Sequence, residues 1–185
     1  LVEVHKTASA DDVTGIARGF LERGISCIGI SGGDGTIHQV LSRVISVYGK
    51  NPVPPIFLLG DGTMNNIAHS VGIRSNGRTN LKRFLAMVRK RELVLRERTT
   101  MKIGERYCFL FGCGMTCNVL SEIYKGEKGY LKSMEVVKNA IGEAITSSFF
   151  NRELKLLRPF PGEIVCDGER LPFRHLLVVL AGTVE

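Results

Sequence analysis

No apolar run in the sequence approaches the ~20 residues a membrane-crossing helix needs, and no charged segment precedes an apolar stretch as in a secretory leader. The chain is therefore expected to be a cytoplasmic domain. No Cys-x-x-Cys pair occurs among the five cysteines, Cys27, Cys108, Cys113, Cys117 and Cys166, and Cys113 and Cys117 lack a nearby histidine to complete a zinc site. Buried free thiols are expected, and no residue is assigned as a metal ligand. A Gly-x-x-x-x-Gly-Lys loop and a Gly-x-Gly-x-x-Gly turn are both missing, so the commonest nucleotide folds lose ground. Acidic residues are absent from Gly62 to Arg91, yet Arg74, Arg78, Lys82, Arg83, Arg89, Lys90 and Arg91 fall there. Removing these seven from the 25 Lys and Arg leaves 18 against 18 Asp and Glu, so this segment carries the whole net charge of +7. Such a patch implies an anionic partner.

What the sequence does contain is a glycine loop, Ser31-Gly32-Gly33-Asp34-Gly35-Thr36-Ile37-His38, between an apolar run at Ile25 to Ile30 and a segment of helical period. That order reads as strand, tight loop and helix start. Gly32, Gly33 and Gly35 let a ligand approach the backbone, and Thr36 is expected to cap a helix whose free N–H groups attract an anion. Asp34 is out of place among phosphate donors unless magnesium lies between them or the carboxylate takes a proton from an attacking hydroxyl. Gly-Asp-Gly-Thr occurs a second time at Gly60 to Thr63, also after a short apolar strand, Ile56 to Leu59. Two such loops side by side can grip one polyphosphate.

Leu1 to Val4 reads as the remnant of a strand. Val13, Ile16, Ala17, Phe20 and Leu21 mark one face of a helix started by Ser9 or Asp11 and ended near Gly24, and Ile37, Val40, Leu41, Val44, Ile45 and Tyr48 mark the helix after the first loop. This alternation argues for an α/β fold, a parallel sheet wrapped by helices with ligands at the carboxyl ends of the strands. Leu81, Phe84, Leu85 and Val88 mark a further amphipathic helix. From Glu92 the character changes: Leu93 to Ile103 and Arg106 to Phe111 read as a hairpin turned at Gly104. A short helix through Ile123 follows, then a longer one carrying Val137, Ala140, Ile141, Ala144 and Ile145. Strands at Glu153 to Leu157, Glu163 to Cys166 and Leu176 to Leu180 complete the pattern, with a turn at Asp167-Gly168. The expected domains are residues 1–91, a nucleotide-binding α/β domain, and residues 92–185, an incomplete antiparallel domain with a helical insertion.

Gly32 to Thr36, followed by Gly62-Thr63-Met64-Asn65-Asn66-Ile67-Ala68, resembles the catalytic domain of the diacylglycerol kinase family, which includes sphingosine kinases and bacterial lipid kinases. The resemblance is specific from Thr7 to Ile73; beyond it, Phe111-Gly112-Cys113-Gly114 is similar to the family's entry to its second domain. It implies a three-layer α/β domain followed by a β-sandwich, with ATP and Mg2+ in the cleft and a lipid hydroxyl as acceptor. It also implies nucleotide contacts from Thr7, from Gly32, Gly33, Asp34, Gly35, Thr36, Ile37 and His38, and from Gly62, Thr63, Asn65 and Asn66. For Thr7 an ordinary turn role stands beside the nucleotide contact. Asp34 is the expected catalytic residue, organising magnesium or assisting proton removal. The family's first strand would precede Leu1, and its Asp-Gly-Glu segment, source of the main base, would follow Glu185, so the chain is expected to be a fragment. Asp167-Gly168-Glu169 is read as a hairpin turn.

The family pattern is broken where Asn66 replaces its usual aspartate, where His69 replaces an arginine, and before Gly104, where no acidic residue is evident beside Thr99 and Thr100. Asp61 either restores the carboxylate lost at Asn66 or solvates its loop. The leading expectation is an ATP-dependent lipid kinase acting on a diacylglycerol-like or sphingoid lipid. The alternative is a catalytically weakened nucleotide- or lipid-binding regulatory module, and an NAD kinase ranks lower because its second loop differs. Arg78, Lys82, Arg83 and Arg89 are expected to give peripheral contact with anionic membrane. Nucleic acid is not expected, because the basic segment lacks interleaved aromatics beyond Phe84.

Overall fold

The computed structural model describes residues 2–125 and 158–183. The expected helix around Val137 to Ile145 and the strand Glu153 to Leu157 lie outside the described residues. The chain divides into two compact units, Leu1–Phe109 with Gly182–Glu185, and Leu110–Ala181.

In the first unit, helix α1 spans Ala10–Glu22 and starts at a capping box: the Asp12 N–H donates to Ser9 Oγ at 3.2 Å, and the Asp12 carboxylate accepts from the Ser9 N–H at 2.9 Å and the Ala8 N–H at 2.8 Å. These backbone bonds hold the Asp12 carboxyl below its ordinary value. Residues 2–4, read from sequence as a strand remnant, form no strand. Glu3 instead pairs with Arg23 at the end of α1, and the His5 ring packs edge-on against Phe20. A strand persists only where its backbone groups find a ladder, and no described strand runs beside this segment.

Strand β1 (Ile28–Ile30) is shorter than the apolar run that announced it, and it pairs in parallel with β2 (Ile56–Leu58), Ile30 opposite Leu58. The described parallel sheet has these two strands. Helix α2 (Asp34–Tyr48) lies between them in sequence and buries Ile37, Leu41, Val44 and Tyr48 with Ala17, Ile28, Ile30 and Leu58 in one core. The short α3 (Asn66–Ser70) adds Ile67 and Ala68. Helix α4 (Gly77–Lys90) is started by Asn76, whose side chain accepts from the Thr79 N–H, and its Phe84 stacks on Phe57 of β2 at 4.2 Å between centroids.

The segment after α4 departs from expectation: only Met101–Ile103 is strand (β3), paired antiparallel with β4 (Arg106–Cys108) around Gly104. This hairpin is anchored on α2 through Ser42, whose Oγ donates to the Tyr107 carbonyl at 3.1 Å and accepts from the Tyr107 N–H at 2.8 Å. In the second unit, β5 (Leu110–Gly114) leads into α5 (Met115–Lys125). Short strands β6 (Phe160–Pro161), β7 (Val165–Cys166), β8 (Glu169–Arg170), β9 (His175–Leu176) and β10 (Val178–Gly182) follow. They pair as β5 with β10, β6 with β9 and β7 with β8. Asp167 and Gly168 both take positive φ in the β7–β8 turn, as the sequence indicates.

Ile37 is 1% exposed at the centre of the first core. Ile37→Ala should therefore cost about 3 kcal/mol of stability, measured as a lower urea midpoint with an unchanged m-value.

Candidate functional site

The two loops leave β1 and β2 at the same end. The parallel ladder continues past the strands through Leu59 N–H to the Ile30 carbonyl at 2.9 Å and Asp61 N–H to the Gly32 carbonyl at 3.2 Å. Beyond it the backbones of Gly33 and Gly62 meet: a Cβ on Gly33 would lie 2.9 Å from Gly62 Cα, and one on Gly62 would overlap Gly33 Cα. Neither position tolerates a side chain, so both glycines are demanded by the approach of one loop to the other.

Asp34 completes the junction. Its Oδ2 accepts from the Asn66 N–H at 3.0 Å and its Oδ1 from the Ile67 N–H at 2.9 Å, so a carboxylate of the first loop caps the helix that follows the second. Asn65, the residue before α3, has φ 53 and makes no side-chain cap. Its side chain instead fastens the second loop: Oδ1 accepts from the Gly62 N–H at 2.8 Å, and Nδ2 donates to the carbonyls of Gly60 at 2.9 Å and Gly62 at 2.7 Å. Asparagine suits this position because it tolerates left-handed backbone and carries both an acceptor and donors.

The expected cap at Thr36 is corrected by the structure. The residue before the helix is Gly33, three positions earlier, so α2 begins at Asp34 with extended Gly33 before it and no side-chain cap. Thr36 sits in the first turn with its side chain against Gly32, where a Cβ would fall 2.6 Å away. The first N–H groups of a helix have no intrahelical acceptor. At α3 two of them are taken by Asp34; α2 starts without a side-chain cap.

Gly35 differs from the other loop glycines. It lies inside α2, does not have positive φ, and a Cβ there would meet nothing within 4 Å. Glycine in a helix costs about 1 kcal/mol relative to alanine, and packing gives no reason for it here. Open space over the start of α2 is what it supplies.

Asp61 neither merely solvates its loop nor stands free. Its Oδ2 accepts from Ser31 Oγ at 2.5 Å and its Oδ1 from the Gly77 N–H at 2.9 Å, tying both loops to the start of α4. A Cβ on Gly77 would overlap that carboxylate. Asn80, 5% exposed, donates from Nδ2 to the carbonyls of Leu59 at 2.8 Å and Ser75 at 2.6 Å, fixing α4 to the end of β2. Sequence reasoning placed Ser31 in the first loop without this bond, and missed Gly77 and Asn80. Asn80 had one signal, a polar residue three positions after Gly77 and four before Phe84 on the buried face of α4.

His38 is half-buried and its Nε2 accepts from the Phe109 N–H at 3.3 Å, which puts the ring proton on Nδ1. Burial holds its imidazole below the ordinary value of 6.5, partly offset by Asp34. Ile37 is a core residue, and Thr63 and Asn66 are exposed beside the loop contact. Thr7 is exposed in the segment before α1, and no hydrogen bond joins its side chain to either loop.

The family model described as the diacylglycerol kinase catalytic domain matches residues 1–95, which include both loops and α1 to α4. The chain belongs to the diacylglycerol kinase catalytic domain family. It is thus a member of a lipid kinase family, whose chemistry is phosphoryl transfer, and the Gly33–Gly62 junction lies within the family segment. No curated protein matches the chain. Among the described residues no group of three or more His, Cys, Asp or Glu is gathered as a metal site.

Asp34→Asn leaves only one carbonyl oxygen for two N–H groups and should lower stability by about 1–2 kcal/mol in urea unfolding; an unchanged midpoint would contradict its capping role. For His38, whose value is depressed in the folded state, the unfolded chain binds more protons as pH falls through 6.5. Its stabilising contribution is present above that pH and is lost on acidification below it. The drop in Tm between about pH 7.5 and about pH 5.5 should be smaller in His38→Gln than in the wild type.

Proposed function

We propose that the chain carries the nucleotide-binding part of an ATP-dependent lipid kinase, which passes the γ-phosphoryl group to a hydroxyl of a diacylglycerol-like or sphingoid lipid. The observation that carries this reading is the junction of Gly33 with Gly62, which sets two Gly-Asp-Gly-Thr loops against each other at the open N-terminus of α2. Phosphoryl transfer depends on positioning and charge neutralisation, and these loops offer backbone N–H groups with the hydroxyls of Thr36 and Thr63. The cradle over Gly35 fits a phosphate group, which approaches a helix N-terminus most closely where no Cβ intervenes.

Magnesium, when bound, would neutralise phosphate charge during transfer. It usually needs only one or two carboxylates beside phosphate and water. Asp34 keeps a lone pair on each oxygen beyond its bonds to α3, so it is the residue that would hold the ion. The same spare acceptor capacity serves a substrate proton. Thr7, His38 and Asn66 complete the nucleotide contacts carried by the resemblance. In this reading residues 1–91 are part of a three-layer domain and the region from Glu92 is part of a β-sandwich, acting as a cytoplasmic enzyme.

A second reading, a nucleotide- or lipid-binding regulatory module, draws on one observation: the carboxylates of Asp34 and Asp61 are both engaged by protein donors. Incubation of the protein with labelled ATP, magnesium and lipid acceptor separates the two. Magnesium-dependent phospholipid product supports the kinase, and nucleotide binding without product supports the module.

The loop glycines give a sharper check by calorimetry with Mg-ATP. Gly35→Ala should leave the fold as stable or stabilise it by up to ~1 kcal/mol while weakening nucleotide binding about tenfold or more. Gly62→Ala should damage stability and binding together. Unaltered nucleotide affinity in Gly35→Ala would remove the phosphate cradle.

A further inference from the structure

Helix α2 carries two stripes. Ile37, Leu41, Val44 and Tyr48 face the core, and beside them Asp34, His38 and Ser42 recur at intervals of four. Residues four apart lie one above the other on a helix, so these three polar side chains form a line from the first turn of α2 toward its middle. All three bond to main chain rather than to side chains. Asp34 accepts from the Asn66 and Ile67 N–H groups, and His38 Nε2 accepts from the Phe109 N–H at 3.3 Å. Ser42 Oγ accepts from the Tyr107 N–H at 2.8 Å and donates to the Tyr107 carbonyl at 3.1 Å.

Strand β4 gives one edge to β3. Beyond that pairing, His38 and Ser42 stand in for a neighbouring strand and satisfy main-chain groups that would otherwise lack a partner. Apolar contact alone would hold the hairpin on α2 without fixing where along the helix it sits, because the hydrophobic effect is non-directional. Hydrogen bonds to main chain fix it, since they weaken steeply away from their preferred distance and angle.

The place they fix is where the chain changes units. It leaves the first unit after Phe109 and returns to it at Gly182. One residue past the return, the Thr183 N–H donates to the Phe109 carbonyl at 2.9 Å, so departure and return are bound to each other. Phe109 is pinned three ways: its N–H on His38, its carbonyl on Thr183, and its ring, 9% exposed, in the core with the His38 ring 6.5 Å away between centroids.

We propose that His38 and Ser42 are positioning residues for phosphoryl transfer: they fix both crossings to the second unit on the helix whose first turn bears the proposed phosphate cradle. The inference rests on the kinase reading, in which an acceptor hydroxyl must meet the γ-phosphoryl group in line and the second unit helps to place that acceptor. A misplacement of about 1 Å far from the chemistry can lower a rate about a hundredfold. A chain that entered the second unit from an unfixed point would allow one.

The test combines steady-state kinetics of lipid phosphorylation with amide hydrogen exchange read residue by residue by NMR. Ser42→Ala and, separately, His38→Leu should lower kcat about tenfold or more. Each should also speed exchange at Phe109 and Thr183 about tenfold beyond any change at the amides of β1 and β2. In Ser42→Ala the calorimetric affinity for Mg-ATP should stay within about twofold of the wild type, because no group of the cradle is altered. Ser42→Thr, which keeps the hydroxyl, and His38→Gln, which keeps an acceptor, should recover most of the lost rate and protection. Unchanged kcat in Ser42→Ala would overturn the proposal, as would a loss of kcat matched by an equal loss of Mg-ATP affinity, or a loss that neither conservative variant recovers. If the wild type makes no lipid product, the kinase reading fails, and the fixed crossings are judged by exchange alone: acceleration at Phe109 and Thr183 no greater than in β1 and β2 overturns them.

Discussion

The first unit depends on a place where two stretches of backbone touch with no side chain between them. Gly33 and Gly62 lie so close that a methyl group on either would strike the other chain. Parallel strands β1 and β2 bring the loops to one end of the sheet, but a ladder alone holds backbones about 5 Å apart. Closing that distance beyond the strands requires glycine on both sides. The open start of α2 and the left-handed turn at Asn65 are both built around this contact.

Two carboxylates then hold what the glycines allow. Asp34 and Asp61 occupy equivalent places in the repeated Gly-Asp-Gly-Thr loops, and each reaches out of its own loop to the first N–H groups of a helix, α3 for Asp34 and α4 for Asp61. A negative charge at a helix N-terminus is favourable both as a hydrogen-bond acceptor and through the helix dipole. The repeat is therefore structural as well as chemical. It supplies the starts of α3 and α4 from within, while α2 starts without a side-chain cap.

Much of this was legible in the residues. The periodicities of Val13 to Leu21 and Ile37 to Tyr48 located α1 and α2, Ser9 was one of two residues offered as the first cap, with Asp11, and the repeated tetrapeptide located both loops. What was not legible depended on distance in space. Nothing local tells that Asp34 serves a helix thirty-two residues away, or that Asp61 is shared between Ser31 and Gly77. Thr36 was the natural cap by type, yet Gly33 starts the helix because the junction with Gly62 fixes the chain there. Residues 2–4 and 93–100 carry strand-forming side chains but no regular strand, since a ladder needs a neighbour that composition cannot supply.

The three side-chain bonds of Asn65 have a consequence for ligand affinity. They lock the second loop into one shape when the protein folds, with left-handed backbone at Asn65 and the carbonyls of Gly60 and Gly62 drawn inward. Ordering a loop on binding subtracts from affinity. Here that entropy is spent once, during folding, so a phosphate bound as proposed would meet donors whose directions are already set.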